Sequence, residues 1–131
     1  MIQRASQKYG ETQVQTASSV QIVVLLYDCV IQSMKLAQEG IVANNLHDKA
    51  RFLDRALKIV GELSAVLDMD QGGKIAVDLR RLYEYVQFEL LEANKWHDSQ
   101  RINGPIHCLS TVGEAWQELA RRKDAPQAVG V

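Results

Sequence analysis

The sequence predicts an all-α protein, an antiparallel up-down-up-down four-helix bundle, on the basis of three observations. Between Ser18 and Gln100 the chain has few strong helix breakers, since its only prolines are Pro105 and Pro126. No segment alternates apolar and polar residues in the way a half-buried strand does. Apolar residues recur instead at three- and four-residue spacing in four segments with short connections, which is typical of antiparallel bundles.

Helix 1 is predicted over residues 18–43. Hydroxyls from Thr16 to Ser19 are candidate N-caps, and Asn44-Asn45 is the stop signal. The predicted core stripe consists of Val23, Leu26, Val30, Met34, Ala37 and Ile41. The apolar run from Ile22 to Tyr27 also points side chains all round the helix, which is more apolar surface than one seam requires. We expect either the N-terminal segment or a partner's helix to cover this surplus.

Helix 2 is predicted over residues 46–69. Its heptad positions are Leu46, Leu53, Val60 and Leu67, flanked by further apolar residues as in a helix with more than one neighbour. The following Asp70-Gln71-Gly72-Gly73 predicts a stop and a turn, because glycine adopts the left-handed conformation without a Cβ penalty.

Helix 3 is predicted over residues 74–99, with a core stripe formed by Ile75, Leu79, Leu82, Val86, Leu90 and Ala93. Asn103-Gly104-Pro105 is expected to break it and to favour a new helical start. Helix 4 then carries the stripe Leu109, Val112, Trp116 and Leu119.

The length of 131 residues suggests one domain around a single core. Three parts are predicted: an N-terminal segment over 1–17, mobile or folded over helix 1; the bundle over 18–123; and a flexible tail over 124–131. The tail is expected to fray because chain ends do so unless they are tied down.

Composition and charge exclude several function classes. Fifteen Lys and Arg residues against sixteen Asp and Glu give a formal charge of −1, so no global field attracts nucleic acid or anionic lipid. The longest apolar run is too short to span a bilayer, and no signal-peptide core is present, so we expect no membrane insertion. Cys29 and Cys108 lack metal-binding or disulfide-scaffold spacing, which favours the cytosol.

No catalytic or cofactor-binding constellation is found. No glutamate precedes a histidine by three residues, which argues against a di-iron bundle. The His47-Asp48 and His97-Asp98 pairs leave a metal-dependent hydrolase as a minor alternative, although such a site needs further ligands. Gly72-Gly73-Lys74 lacks the Ser or Thr of a phosphate-binding loop and is interpreted as a turn. The sequence therefore predicts a non-enzymatic protein without metal or cofactor.

The assembled motifs resemble those of the flagellin-specific export chaperone family, FliS, from Tyr9 to about Glu118. The motifs, in the family's order and spacing, are Val14–Ser18, Leu25–Asp28, Leu67-Asp68 with Gly72–Ala76, Leu82–Tyr85, Ala93-Asn94 with Asp98, and Glu114–Trp116. Three positions depart from the family pattern: Ser19 stands where proline is usual, Cys29 where glycine is usual, and Ser6 where the residue is often apolar.

The resemblance implies a cytosolic bundle that binds the C-terminal segment of flagellin as a 1:1 complex. It further implies that the protein prevents premature flagellin polymerisation and delivers flagellin to the cytosolic domain of the export-gate membrane protein. Grooves between helices would cover the apolar stripes of unassembled flagellin. Candidate flagellin contacts are Ile22, Leu25, Tyr27, Cys29, Tyr83 and Asn94, with core packing as the competing interpretation of each.

Tyr9 is the candidate for export-gate docking or for a switch. It lies in a polar segment, residues 6–15, whose apolar anchors are Tyr9 and Val14, and such a segment can dock on helix 1 and leave. The alternatives to the chaperone are a small helical regulator or adaptor and, less well supported, the hydrolase.

Overall fold

The computed structural model describes residues 19–124, and this part of the chain folds into four helices and one short 3-10 helix without a strand. The helices are α1 (Ser19–Val42), α2 (Leu46–Ala65), α3 (Met69–Trp96) and α4 (Asn103–Asp124), with the 3-10 helix at Ser99–Ile102. The predicted all-α bundle is confirmed. The predicted N-terminal segment over 1–17, and all of the predicted tail except Asp124, lie outside the described residues.

The connection between α1 and α2 follows the prediction closely. Asn44 has a φ of 55°, and the backbone N–H of Asn45 donates to the carbonyl of Gly40 over 2.8 Å. This hydrogen bond is part of a Schellman-type helix end, for which asparagine is an accepted residue. Asn45 is also the N-cap of α2, because its side-chain oxygen accepts from the N–H of Asp48. A tight antiparallel reversal results.

The connection between α2 and α3 differs from the prediction. α2 ends at Ala65 rather than at 69, and α3 begins at Met69 rather than at 74. The reason is the Asp68 carboxylate, which accepts hydrogen bonds from the N–H groups of Asp70 and Gln71 and so starts a helical turn earlier. The predicted glycine turn becomes a kink within α3, with Gly73 at φ 54° and ψ −132°.

The end of α3 and the start of α4 are also shifted. α3 ends at Trp96, three residues before the predicted end, because His97 adopts the left-handed conformation with a φ of 52°. The 3-10 helix then leads directly into α4 at Asn103. Pro105 is buried in the first turn of α4, where its missing N–H removes no intrahelical hydrogen bond.

The four helices form a ring in which α1 and α3 each contact α2 and α4. All four helices and the 3-10 helix contribute to the core. Its largest fully buried side chains include Tyr27, Met34, Val60, Tyr83, Leu90, Ile102 and Leu109. Most of the predicted stripes face this core, but Leu46 and Ile75 are largely exposed and Leu119 is partly exposed, contrary to prediction. Leu46 is the first residue of α2, and Ile75 and Leu119 lie within two turns of the start of α3 and of the end of α4.

Among the helices of residues 19–124, α1 alone is long and apolar enough to pass a length-and-composition test for a membrane span. Its most apolar 18-residue window has a mean hydropathy of 1.5. A core helix passes the same test, and α1 packs against α2, α4 and the 3-10 helix while it buries Val30, Met34 and Ala37 completely. The packing of α1 is that of a core helix.

Candidate partner-binding surfaces

Two of the predicted flagellin contacts lie inside the bundle and contact each other. The hydroxyl oxygens of Tyr27 and Tyr83 are 2.7 Å apart, and their rings meet edge to face with centroids separated by 6.4 Å. Tyr27 is 1% exposed and Tyr83 2%. We call these two residues the tyrosine pair. The Trp116 ring packs on Tyr27 at 6.5 Å, so the pair sits in an aromatic cluster that joins α1, α3 and α4.

The environment of the tyrosine pair favours the neutral phenols. Burial is the main cause that raises the pKa of both hydroxyls above the usual value of 10.0, since a phenolate loses its hydration there. The hydrogen bond between the two hydroxyls raises the pKa of Tyr83 further and opposes the rise at Tyr27. Both groups therefore remain protonated at neutral pH, and their role in the described structure is to link α1 to α3.

Three other predicted contacts share one strip along α1. Ile22, Leu25 and Cys29 follow each other at spacings of three and four residues, which places them on the same helix face. Leu25 is 49% exposed, while Ile22 and Cys29 are half-buried. The surplus apolar surface predicted for this helix is therefore present as an open strip, which we call the α1 strip.

An apolar cavity of about 220 Å³ opens at the end of the bundle where α1 begins. We call it the end cavity. Its walls are Val23 of α1, the C-terminal part of α2, the start of α3, and Trp116 of α4; Tyr83 contributes to its lining. Val66 and Ile75 line it while remaining 71% and 70% exposed. The sequence analysis placed Ile75 in the core stripe and proposed neither residue for a binding surface, because an apolar stripe shows which face is apolar and not where the neighbouring helix stops.

A further apolar surface runs along the outer side of α3. Tyr85, Phe88 and Leu91 follow each other at three-residue spacing, and Trp96 lies near the end of the same helix. Phe88, Leu91 and Trp96 are each more than half exposed. We call these four residues the α3 outer face. The sequence shows these apolar residues outside the predicted core stripe of this helix, and the prediction did not use them.

The remaining predicted contact, Asn94, is exposed on α3. Its backbone carbonyl accepts a hydrogen bond from the Lys49 ammonium over 3.1 Å, and the same ammonium lies 3.0 Å from Nδ1 of His97. Lys49 thus satisfies a carbonyl at the end of α3, as basic side chains do at helix C-termini. The structure does not bring Asn94 together with the α1 strip.

A second groove, with a volume of about 630 Å³, lies at the opposite end of the bundle from the end cavity, between the last turns of α1 and the start of α4. Its base is held by Gln38, whose amide nitrogen donates to the carbonyl of Ser99 over 3.0 Å and to Oδ1 of Asn103 over 2.8 Å. None of the predicted contacts lines this groove.

The two His-Asp pairs serve helix ends in the described structure. Asp48 accepts from the amide of Asn45 at the start of α2, and Asp98 caps the 3-10 helix and pairs with Arg101. Over residues 19–124, no three His, Cys, Asp or Glu side chains come together in a way that could hold a metal ion. Asp98 is therefore an N-cap, and Asp48 hydrogen-bonds the side chain of the N-cap residue Asn45.

Comparison with known proteins identifies relatives along most of the chain. The family described as flagellar protein FliS matches residues 1–123. The flagellar secretion chaperone FliS of Salmonella typhimurium is 32% identical over 111 residues, which cover 84% of this chain and 82% of that protein. FliSB of Pseudomonas aeruginosa is 28% identical over 110 residues, covering 84% and 87%. FliS of Bacillus subtilis is 23% identical over 132 residues, covering 99% and 98%.

Proposed function

Since the chain belongs to the FliS family of flagellar secretion chaperones, we propose that it binds the C-terminal segment of flagellin in the cytosol as a 1:1 complex. In this proposal it prevents premature flagellin polymerisation and delivers flagellin to the cytosolic domain of the export-gate membrane protein. Membership itself makes the chain a non-enzymatic secretion chaperone, as the sequence predicted. The identity of its export substrate is the part that needs a physical argument and a test.

The observation that carries the proposal is the amount of apolar side chain that the bundle leaves uncovered. Phe88 and Trp96 alone, each more than half exposed, present roughly 200 Å² of apolar surface. The α1 strip and the rim of the end cavity add to this on other sides of the bundle. Exposed apolar surfaces of this kind mark sites of protein interaction.

The distribution of these surfaces favours one long partner segment over one compact domain. The α1 strip and the α3 outer face lie on different helices and the end cavity opens at one end of the bundle, so no single flat contact covers them all. A disordered segment that folds on binding can wrap such a surface and place apolar anchors at separate sites. The C-terminal segment of flagellin, with the apolar helical stripes that it uses in the filament, has this chemistry.

The second part of the proposal assigns a switch to Tyr9 and the surrounding residues 6–15, which lie outside the described residues. In the empty chaperone this segment shields Ile22 and Leu25, and flagellin displaces it so that Tyr9 becomes available to the export gate. Deletion of residues 1–13 tests this. If the segment competes with flagellin, the truncated chain binds flagellin more tightly, up to the penalty set by the closed population. If flagellin affinity is unchanged and the truncated chain is less stable by several kcal/mol, the segment is structural.

Calorimetric titration with the C-terminal flagellin segment tests the main proposal. We expect a 1:1 complex with a clearly negative heat-capacity change, since apolar surface is buried. Leu25→Ser should weaken binding by about tenfold, in line with the loss of one buried leucine. Leu46→Ser is the matched control, because Leu46 is 61% exposed against 49% for Leu25 but lies at the other end of the bundle. If the unmodified chain does not bind the segment at concentrations of roughly tens of micromolar, the proposal is refuted.

A further inference from the structure

We propose that the connection from Val66 to Gly73 is a hinged flap, and that it closes over the end cavity when an apolar side chain of the client enters. The client is the flagellin segment, so this inference rests on the proposed function. It adds a moving part to the chaperone, located between α2 and the main length of α3. The argument depends on the backbone at Gly73, on the hydrogen bonds within the flap, and on the side chains at the rim of the cavity.

The hinge is Gly73. Its φ of 54° with a ψ of −132° lies in a region that is accessible in practice to glycine alone, and it separates the turn Met69–Gly72 from the rest of α3. The i to i+4 hydrogen-bond ladder of an α-helix cannot pass undistorted through such a residue. The turn and the length of α3 from Lys74 onward are therefore two helical pieces that meet at a kink.

The turn before the hinge is held by its own hydrogen bonds. Oδ1 of Asp68 accepts from the N–H groups of Asp70 and Gln71 over 3.2 and 3.0 Å, and the N–H of Gly72 donates to the carbonyl of Asp68 over 2.7 Å. These bonds run within the turn, while at the other end of the flap the N–H groups of Val66 and Leu67 donate to carbonyls of α2 over 3.2 and 3.3 Å. A change at Gly73 thus moves the turn as a unit without breaking the hydrogen bonds that define it.

Closure of the flap would cover two exposed apolar side chains at the rim of the end cavity. Val66 stands on the flap and Ile75 just beyond the hinge, and both line the cavity with more than two thirds of their surface exposed. A volume of about 220 Å³ has room for one large apolar side chain, since engineered apolar cavities of about 150 Å³ accept benzene. Closure around such a side chain removes the two rim residues from water, which favours the closed position only when the cavity is filled.

The first test compares Gly73→Ala with Gly61→Ala. A Cβ added at either glycine meets no atom within 4 Å, and only Gly73 has a positive φ. Alanine at 73 therefore drives the hinge out of its observed conformation, whereas alanine at 61 keeps an ordinary helical one. We expect dissociation of the flagellin segment to be faster by about tenfold in Gly73→Ala and unchanged in Gly61→Ala.

The second test removes a rim side chain without touching the backbone. Val66→Ser should weaken flagellin binding by about tenfold if Val66 closes over the client, since the burial of a valine side chain is lost. Val42→Ser is the matched control, because Val42 is 77% exposed but lies at the opposite end of the bundle, and its effect should stay below about twofold. This pair keeps the inference testable even if Gly73→Ala fails to fold.

Fluorescence supplies a readout inside the cavity. Of the two tryptophans in the chain, Trp116 lines the end cavity and Trp96 lies at the other end of α3, so the difference between the unmodified chain and Gly73→Ala reports on Trp116. Acrylamide quenching of Trp116 should fall when the flagellin segment saturates the chaperone, and it should fall clearly less in the Gly73→Ala background. If the unmodified chain does not bind the segment, the proposed function fails. If the unmodified chain binds and the Gly73 and Val66 variants behave like their controls, the flap is wrong.

Discussion

The hydrogen bond of the tyrosine pair leads to a prediction in which removing two polar groups harms the bundle less than removing one. Tyr27→Phe and Tyr83→Phe each delete one hydroxyl and keep the ring, so the edge-to-face contact at 6.4 Å is preserved. The hydroxyls are 2.7 Å apart, and both residues are almost fully buried, so neither has bulk water as a substitute partner. Each single change therefore removes the hydrogen bond between the two hydroxyls and keeps both rings.

The expected free energies follow from what each variant leaves behind. Loss of the hydrogen bond lowers the free energy of unfolding by about 1 kcal/mol in all three variants. A single variant also strands the remaining hydroxyl in the core, which adds about 1 kcal/mol. The double variant has no stranded hydroxyl. We therefore expect each single variant to be destabilised by about 2 kcal/mol and the double variant by only about 1 kcal/mol.

Urea unfolding followed by far-ultraviolet circular dichroism measures these differences. The midpoints should shift while the slope of free energy against urea stays constant, because the surface exposed on unfolding is nearly the same in all four proteins. If the double variant is destabilised by about the sum of the two single effects, the two hydroxyls contribute to stability independently. That result would refute the assignment of this hydrogen bond as a buried, isolated link.

Three further predictions concern pH and backbone. Because burial raises the folded-state pKa of the tyrosine pair above the unfolded value of about 10, stability should be constant below that pH and fall above it, with tyrosinate absorbance and loss of helical signal appearing together. Ionisation of all tyrosines with the helices intact would contradict this. Gly40→Ala should destabilise by about 1–3 kcal/mol in urea unfolding, because its Cβ would lie 2.8 Å from the backbone nitrogen of Lys49, while Gly61→Ala, with open space, should stabilise by up to about 1 kcal/mol. Equal effects would show that the close approach is not tight. His97→Gly should raise the melting temperature, because glycine adopts the left-handed conformation of this residue without a cost of about 1 kcal/mol. His47→Gly, within α2, should lower the melting temperature. A lower melting temperature in both variants would mean that the contacts of the His97 side chain matter more than its backbone conformation.

The sequence was sufficient for the number of helices and for most of the core. Periodicity at 3.6 residues and the scarcity of breakers establish where helices can form, and the asparagine turn after α1 has one clear interpretation. The connection between α2 and α3 was predicted wrongly because two adjacent glycines are a strong stop signal. The competing signal was present: Asp68 followed three residues later by Gln71 fits the acidic N-cap pattern, and the structure shows that this cap starts the helix.

The candidate contacts were harder to predict than the fold, because sequence motifs do not report which side chains a neighbouring helix covers. Ile22, Leu25 and Cys29 lie on an open strip, as a contact role requires, and that role stays a prediction. Tyr27 and Tyr83 came from the same resemblance but lie in the core, where a motif is equally well explained by packing. The exposed rim of the end cavity depends on where α2 stops, and the predicted end of α2 was four residues too late.

α3 shows most clearly why exposure could not be deduced. It carries two apolar stripes: Val86, Leu90 and Ala93 face the core, while the α3 outer face points to solvent. Apolar periodicity alone allows either stripe to be the buried one, since a rotation of the helix about its axis exchanges them. The small size of Ala93 and the hydrogen bond of Tyr83 determine which stripe is buried. Ala93 in the core stripe permits close helix approach, and burying the outer stripe would carry the Tyr83 hydroxyl away from its hydrogen-bonding partner on α1. The same bond that joins two helices thus keeps the outer apolar face turned towards solvent, where a secretion chaperone can use it.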